Sequence, residues 1–271
     1  MKIEVSQLSY YPVKSCAGIS LDKATIGEKG ILFDREWAVI DAQSHEVLTQ
    51  RQEPRLCLLK PTVKKTDNAF SILFETAEMP SVGFQLVDGD EEVETVFPWG
   101  PICRGVDQGD QIALWISTFL QRECRVLRFS PNFVRYIDPQ IATRKTDQTA
   151  YADDCPFLLI SEESLKELNS QMSQELPMSR FRPNIVVKGT TAFAEDGWKE
   201  IRIGEIAFDI VQPCGRCVIT TVDQENAGKG REPLQTLAKI RNVNQKLLFG
   251  VHLAHRQNGS IEVGDQVEVV N

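Results

Sequence analysis

The chain has 271 residues, 42% of them hydrophobic, with 38 acidic against 30 basic side chains and a net charge of −8. That length can bury one large core or two modest ones, and the acidic balance argues against a nucleic-acid partner or an anionic membrane surface. No apolar run approaches the roughly 20 residues that cross a bilayer. The opening Met1-Lys2-Ile3-Glu4-Val5-Ser6 lacks the apolar core of a secretory signal, and an odd seven cysteines fits thiols kept reduced, so a soluble, cytoplasmic protein is expected.

Ile3, Val5 and Leu8 alternate loosely ahead of Tyr10-Tyr11-Pro12, which predicts a strand running into a turn. The loop Pro12-Val13-Lys14-Ser15-Cys16-Ala17-Gly18 offers a lysine and a hydroxyl to an anion, although a solvated lysine is the plainer reading of that stretch alone. Gly30 to Asp41 predicts a turn and a strand with Arg35 at its start, and Thr49-Gln50-Arg51-Gln52-Glu53-Pro54-Arg55 is a polar interruption. Short, turn-bounded strands follow at Phe70 to Phe74 and Val82 to Val87, and the acidic run 88–94 reads as a solvated loop. The first hundred residues thus carry a barrel or sandwich pattern.

From Asp110 the period changes. Ile112, Trp115, Ile116, Phe119 and Leu120 recur at helical spacing, predicting a helix over 110–122 with Asp107 and Asp110 available as caps. Asn132 to Thr149 is polar and aperiodic, and reads as a crossing between two domains. Pro156 to Ile160 predicts a strand, with Ser161 as N-cap of a helix that carries Leu165, Leu168 and Met172 on one face. Arg180 and Arg182 flank Phe181 ahead of Pro183-Asn184. Guanidinium groups held on rigid backbone suit a phosphate or carboxylate, and they equally suit ion pairs within the fold. Pro233 is placed to open a helix through Leu234, Leu237 and Ile240, and 249–270 reads as closing strands. His252 and His255 lie three apart, on opposite faces of a strand, and are not expected to share a metal.

The most unusual stretch is Pro213-Cys214-Gly215-Arg216-Cys217-Val218-Ile219-Thr220-Thr221-Val222-Asp223, whose β-branched run after Cys217 predicts a strand. A zinc knuckle needs a second ligand pair, and the other five cysteines are scattered singly. A redox dithiol wants its first cysteine at a helix start, where a β-branched run does not belong. Two thiols packed as small apolar side chains remain the ordinary alternative. Arg216, a fixed cation, favours the thiolate form that binds metals.

Taken together, Tyr11-Pro12-Val13-Lys14-Ser15-Cys16, Asp34-Arg35-Glu36-Trp37, Arg51-Gln52-Glu53-Pro54-Arg55, Phe181-Arg182-Pro183-Asn184-Ile185-Val186 and the Cys214 to Asp223 stretch resemble the MOSC family, nearest its YcbX-type and amidoxime-reducing members. The resemblance implies a β-rich α+β fold: an N-terminal β-barrel domain over 1–125 packed on a MOSC β-barrel domain over 126–271, with a few peripheral helices. It implies a molybdenum–molybdopterin cofactor between the two parts. Cys217 would ligate the metal, while Lys14, Ser15, Arg35, Arg182, Asn184, Gly215 and Arg216 would hold the pterin and its phosphate. Asp154-Cys155 stands where relatives often carry Thr-Ser, so a cofactor contact there would be altered. The implied activity is reduction of N-hydroxylated compounds, with Asp196 as a candidate proton relay. The chain has no iron–sulfur cysteine spacing, so electrons would come from a separate ferredoxin, flavodoxin or flavoprotein reductase. A different role for the same residues is a cofactor or sulfur carrier with a persulfide on Cys217.

Overall fold

The computed structural model describes residues 2–270 except 66–68, 88 and 90. Asp88 and Asp90 of the acidic run therefore lie outside the described residues.

The strand Ile3–Tyr10 carries a bulge between Val5 and Gln7. The extra residue is why Val5 and Leu8, three apart, are both buried, which a strict period of two would forbid. This strand sits between Ile185–Lys188 and Gln266–Val270 in a large sheet. The sheet continues through Glu200–Ile203, Ile206–Gly215 and Lys246–His255, which pairs back onto Phe157–Ser161 and closes a barrel. The first strand of the chain is thus a stave of a barrel otherwise built from residues beyond 156. Periodicity reveals that a strand exists, but its partners lie some 180 residues away and leave no local signal.

The barrel is filled by side chains such as Phe157, Phe208, Val251 and Leu253, all essentially inaccessible to solvent. A second part packs beside it. Trp37–Asp41, Cys124–Phe129, Ile102–Asp107 and Glu92–Val96 form one antiparallel sheet, and Lys60–Lys65, Phe70–Thr76 and Met79–Gln85 another. The helix Asp110–Leu120 lays Ile112, Ile116 and Phe119 onto a core that includes Trp37 and Phe74. Two further helices, Glu162–Ser170 and Leu234–Ile240, lie outside the barrel. The β-rich, two-part expectation holds.

Three local expectations need adjustment. Neither aspartate caps the helix Asp110–Leu120: Gly109 is its N-cap, and Asp107 accepts from the Gly109 N–H at 2.8 Å and from Arg125. Pro233 stands just before the helix rather than in its first turn, and Glu232 accepts from the Thr236 N–H at 3.0 Å. Most consequential, Val218–Thr221 is a single 3₁₀ turn instead of a strand. Thr220 and Thr221 direct their hydroxyls back to the carbonyls of Cys217 and Val218, at 2.9 and 2.8 Å. Such local side-chain bonds compete with sheet pairing. Ser161 does cap its helix, accepting from the Ser164 N–H at 3.1 Å.

Barrel closure depends on a close backbone approach at Gly250. Its φ is +75°, and a Cβ there would lie 2.6 Å from Ile160 Cγ1 and 2.7 Å from the Leu159 carbonyl oxygen. Gly250→Ala should cost at least about 2 kcal/mol, from overpacking combined with left-handed backbone strain. Chemical denaturation would show it as a lowered midpoint, and an unchanged midpoint would mean that the closing strands have room to part.

Candidate functional site

Between the barrel and the second part lies a cavity of about 300 Å³. Three of its side chains, Ser15, Arg35 and Arg182, stand on backbone at φ +67°, +49° and +58°, a region that non-glycine residues rarely occupy. Each is held there by its surroundings. The Arg35 N–H donates to the Tyr11 carbonyl at 2.7 Å, and the Arg182 N–H closes the 3₁₀ turn Met178–Phe181 on Ser179.

The cationic wall is built around the buried ring of Tyr11. The guanidinium groups of Arg35 and Arg182 each lie 4.2 Å from its centre, and its hydroxyl donates to the Pro183 carbonyl at 3.1 Å. Buried Asp34 accepts from Arg35 at 2.5 Å and from the Tyr11 N–H at 2.7 Å. Asn184 is a cross-link: its side-chain oxygen takes Arg35 at 3.0 Å and the Leu158 N–H at 3.3 Å, and its amide nitrogen donates to Ser9. The two like charges therefore share the Tyr11 ring, Arg35 being held by Asp34, Asn184 and the Arg182 carbonyl and Arg182 donating to Gln224 at 3.4 Å, so their side chains are fixed before any ligand arrives.

Lys14 enters the same space. Its ammonium donates to the Tyr151 carbonyl at 2.8 Å and pairs closely with Asp153, with Phe97 and Trp99 around it. Desolvation alone would raise the Asp153 carboxyl, but Lys14, followed by Arg51 and Arg35, outweighs it and holds the group down at about 2. Ser15 is tied to Gln50, whose amide exchanges hydrogen bonds of 3.0 and 2.9 Å with the amide of Gln224 from the far side of the chain.

The thiols face this wall. Cys217, partly exposed, follows the end of the strand Ile206–Gly215 and lies 3.3 Å from Nη2 of Arg51. Arg51 belongs to the other part of the molecule, and its guanidinium stacks 4.5 Å from Trp99. Cys214 is buried yet borders the cavity, and its sulfur accepts from Arg216 at 3.1 Å. Burial would raise the Cys214 thiol, but Arg216 and His252 bring it down to about 7. The reciprocal holds for His252: desolvation disfavours its charge, and the Cys214 thiolate more than offsets this, raising it well above the usual imidazole range. His255 lies elsewhere, on the opposite face of the strand, as expected.

Lys14, Ser15, Arg35, Asp154, Cys155, Arg182, Asn184, Gly215, Arg216 and Cys217 all border this one cavity. Asp196 does not. It lies in the 3₁₀ turn Ala194–Gly197, closely paired with Arg241, and that ion pair commits its carboxylate. The sequence reading assigned no site role to Arg51, Trp99, Asp153 or His252 and took Cys214 for a core or supporting residue rather than the metal ligand; all five also border the cavity. Arg51 carried a signal, since it stands in a polar motif without core residues. Trp99 and His252 carried none, because only tertiary packing brings them to the thiols.

A model of the MOSC domain matches residues 146–268, and a model of the MOSC N-terminal beta barrel domain matches residues 2–123. The chain is 36% identical to mitochondrial amidoxime-reducing component 1 of Homo sapiens, over 97% of this chain and 82% of that protein. It is 35% identical to mitochondrial amidoxime reducing component 2 of Bos taurus, with the same coverage of 97% and 82%. A molybdenum cofactor sulfurase of Danio rerio is 31% identical over 93% of this chain, which spans 32% of the sulfurase. Among solved structures, the YUAD protein from Bacillus subtilis aligns over 98% of this chain and 94% of its own, at TM-score 0.45 and 11% identity, too slight a likeness to argue from.

The Cys214 environment makes a prediction of definite sign. A lowered thiol pKa means thiolate, and hence alkylation, at lower pH. Iodoacetamide labelling of Cys214, followed by peptide mass mapping, should have its midpoint near 7, and Arg216→Gln should move that midpoint upward. A wild-type midpoint in the ordinary thiol range, about 8.5, would contradict the pairing.

Proposed function

The chain belongs to the MOSC family, and on that premise we propose that it is a molybdenum-cofactor-dependent reductase of N-hydroxylated compounds such as amidoximes. The observation that carries this reading is one cavity in which a partly exposed thiol, Cys217, faces five cations, Lys14, Arg35, Arg51, Arg182 and Arg216, against the carboxylates Asp153 and Asp154.

The wall fits the cofactor. Arg51 Nη1 and Arg216 Nε are buried there with no hydrogen-bond partner, and an unpaired buried donor costs about 1–3 kcal/mol. An anionic, phosphate-bearing ligand would relieve that cost. No group of three or more His, Cys, Asp or Glu able to hold a metal ion exists among the described residues. A metal at Cys217 would therefore need most of its ligands to come with it, as a dithiolene pterin provides. Lys14, Ser15, Arg35, Arg182 and Arg216 would hold the pterin phosphate, Asn184 would keep that wall aligned, and the Cys217 thiolate would ligate molybdenum as a soft donor. A side chain at Gly215 would meet nothing within 4 Å, so glycine there leaves space on the cavity side.

When bound, the molybdenum supplies the two-electron chemistry that N–O cleavage needs. The N–O bond of the substrate breaks, the hydroxyl oxygen takes one proton and leaves as water, and the nitrogen gains a hydrogen from the other, consuming two electrons and two protons. The electrons would come from a separate ferredoxin, flavodoxin or flavoprotein. This chain's own residues bind and orient: the cations offset ligand charge, and Arg51, stacked on Trp99, reaches the thiol from the other part. Asp196, bound to Arg241, has no part in this reading.

Protein purified from a host that makes the cofactor should carry about one molybdenum per chain, and Cys217→Ala should carry almost none. With a reduced viologen as electron donor, the wild-type protein should reduce an aryl amidoxime to the amidine, and the variant should lose at least about 100-fold in rate. Stoichiometric metal without turnover of any N-hydroxylated compound would contradict the reductase reading. A stable sulfur adduct on Cys217 without metal would point to a carrier instead.

A further inference from the structure

Cleaving an N–O bond to yield water consumes two protons, and they must reach a cavity whose titratable groups are mostly committed. The four arginines do not release protons near neutrality. Lys14 is held by Asp153 and the Tyr151 carbonyl, and Asp153 itself stays ionised. Cys217 is taken by the metal on the reading above, and Asp196 lies outside the cavity.

Asp154, Cys155, Cys214 and His252 remain at the cavity, and His252 is the one of them whose charged form is a cation able to give up a proton. It borders the cavity from the strand Lys246–His255, facing Cys214 of the neighbouring strand and Cys155 of the segment before Phe157–Ser161, both hydrogen-bonding neighbours of its ring. Arg216 stands behind Cys214, donating to its sulfur at 3.1 Å. Arg135 is the cation near Cys155, Asp153 and Asp154. Across the remaining strand contact, His252 is paired with the apolar Leu158. Nδ1 of His252 is buried and has no hydrogen-bond partner, while the side chain as a whole is 12% exposed and borders the cavity. The nearest carboxylate oxygen, Oδ2 of Asp154, is 4.0 Å from Nδ1, and that aspartate side chain is half exposed.

We propose that His252 is the proton donor of the reduction, with Cys214 as the anion that keeps it charged and Asp154 as its link to solvent. The protonated His252 ring gives a proton to the departing hydroxyl oxygen as the N–O bond breaks, and that oxygen leaves as water. The ring regains a proton from solvent on the side of the half-exposed Asp154 before the second transfer, to the substrate nitrogen. The two electrons come from the donor protein named above. This assignment rests on the reductase reading. It places a titrating group of this chain, alongside Cys155 and Cys214, at a point where sequence motifs gave no proton source.

The test uses the full chain purified with its cofactor, a reduced viologen as donor and an aryl amidoxime as substrate. General acid catalysis contributes about 100-fold to 10,000-fold. Both His252→Gln and His252→Asn should therefore lower kcat by at least about 100-fold while leaving KM within about twofold, and added imidazole should restore part of the rate. The wild-type rate should fall on the alkaline side as His252 loses its proton, and the variants should lose that limb. Independently of turnover, nitrogen-15 NMR of the chain's three histidines should show the His252 ring still protonated above the ordinary imidazole range. Cys214→Ser should lower that titration. An active wild type with unaffected His252 variants, or a His252 ring neutral at pH 7, overturns the assignment alone. A wild type that holds molybdenum yet reduces no N-hydroxylated compound overturns the assignment together with the reading on which it rests.

Discussion

Everything about the cavity follows from the cost of holding several cations close together. Arg35 and Arg182 each lie 4.2 Å from the centre of one ring and so at most about 8 Å apart, where two unit charges repel by roughly 2 kcal/mol at an effective dielectric near 20. The protein offsets this with partners of several kinds. Asp34 and Asp153 supply opposite charge, Tyr11 supplies its π faces, and the Tyr151, Arg182 and Phe181 carbonyls accept from Lys14, Arg35 and Arg216. At the cavity, two buried guanidinium nitrogens, Arg51 Nη1 and Arg216 Nε, still lack a partner. A wall so arranged is preorganised for an anion, and its remaining unpaired donors are what that anion would complete.

The same wall explains why the two parts are joined as they are. Lys14, Ser15, Arg35 and Arg51 come from the first quarter of the chain, while Arg182, Arg216 and Cys217 come from the barrel. The strand Ile3–Tyr10 is paired into the barrel and delivers the Tyr11 to Ser15 loop directly to the site. The Gln50–Gln224 amide pair and the Arg51–Cys217 contact then cross between the parts. A hinge motion that separated the parts would break these contacts and open the thiol to solvent, so rigidity of this joint and control of the thiol are one property.

Much of this was legible in the sequence. Alternation and turn residues gave the strands, Ser161 gave a helix start, and the motif residues Lys14, Arg35, Arg182 and Cys217 proved to share one cavity. What escaped was long-range. The bulge in the first strand blurred its period, and its place in the barrel depends on partners far along the chain. The run after Cys217 has strand-forming composition, yet threonine hydroxyls turn it into a 3₁₀ segment. Asp196 looked free until Arg241, 45 residues away, was seen beside it. Cys214 was read with Cys217 and His252 with His255, and the pairing of Cys214 with His252 exists only because two neighbouring strands bring them together.

The most direct test of the account is X-ray absorption at the molybdenum edge of the loaded protein, compared with Cys217→Ser. The account predicts that the metal loses one sulfur neighbour in the variant while its remaining sulfur ligands persist, since those arrive with the pterin. An unchanged sulfur shell would contradict it, and would mean that Cys217 lines the cavity without holding the metal.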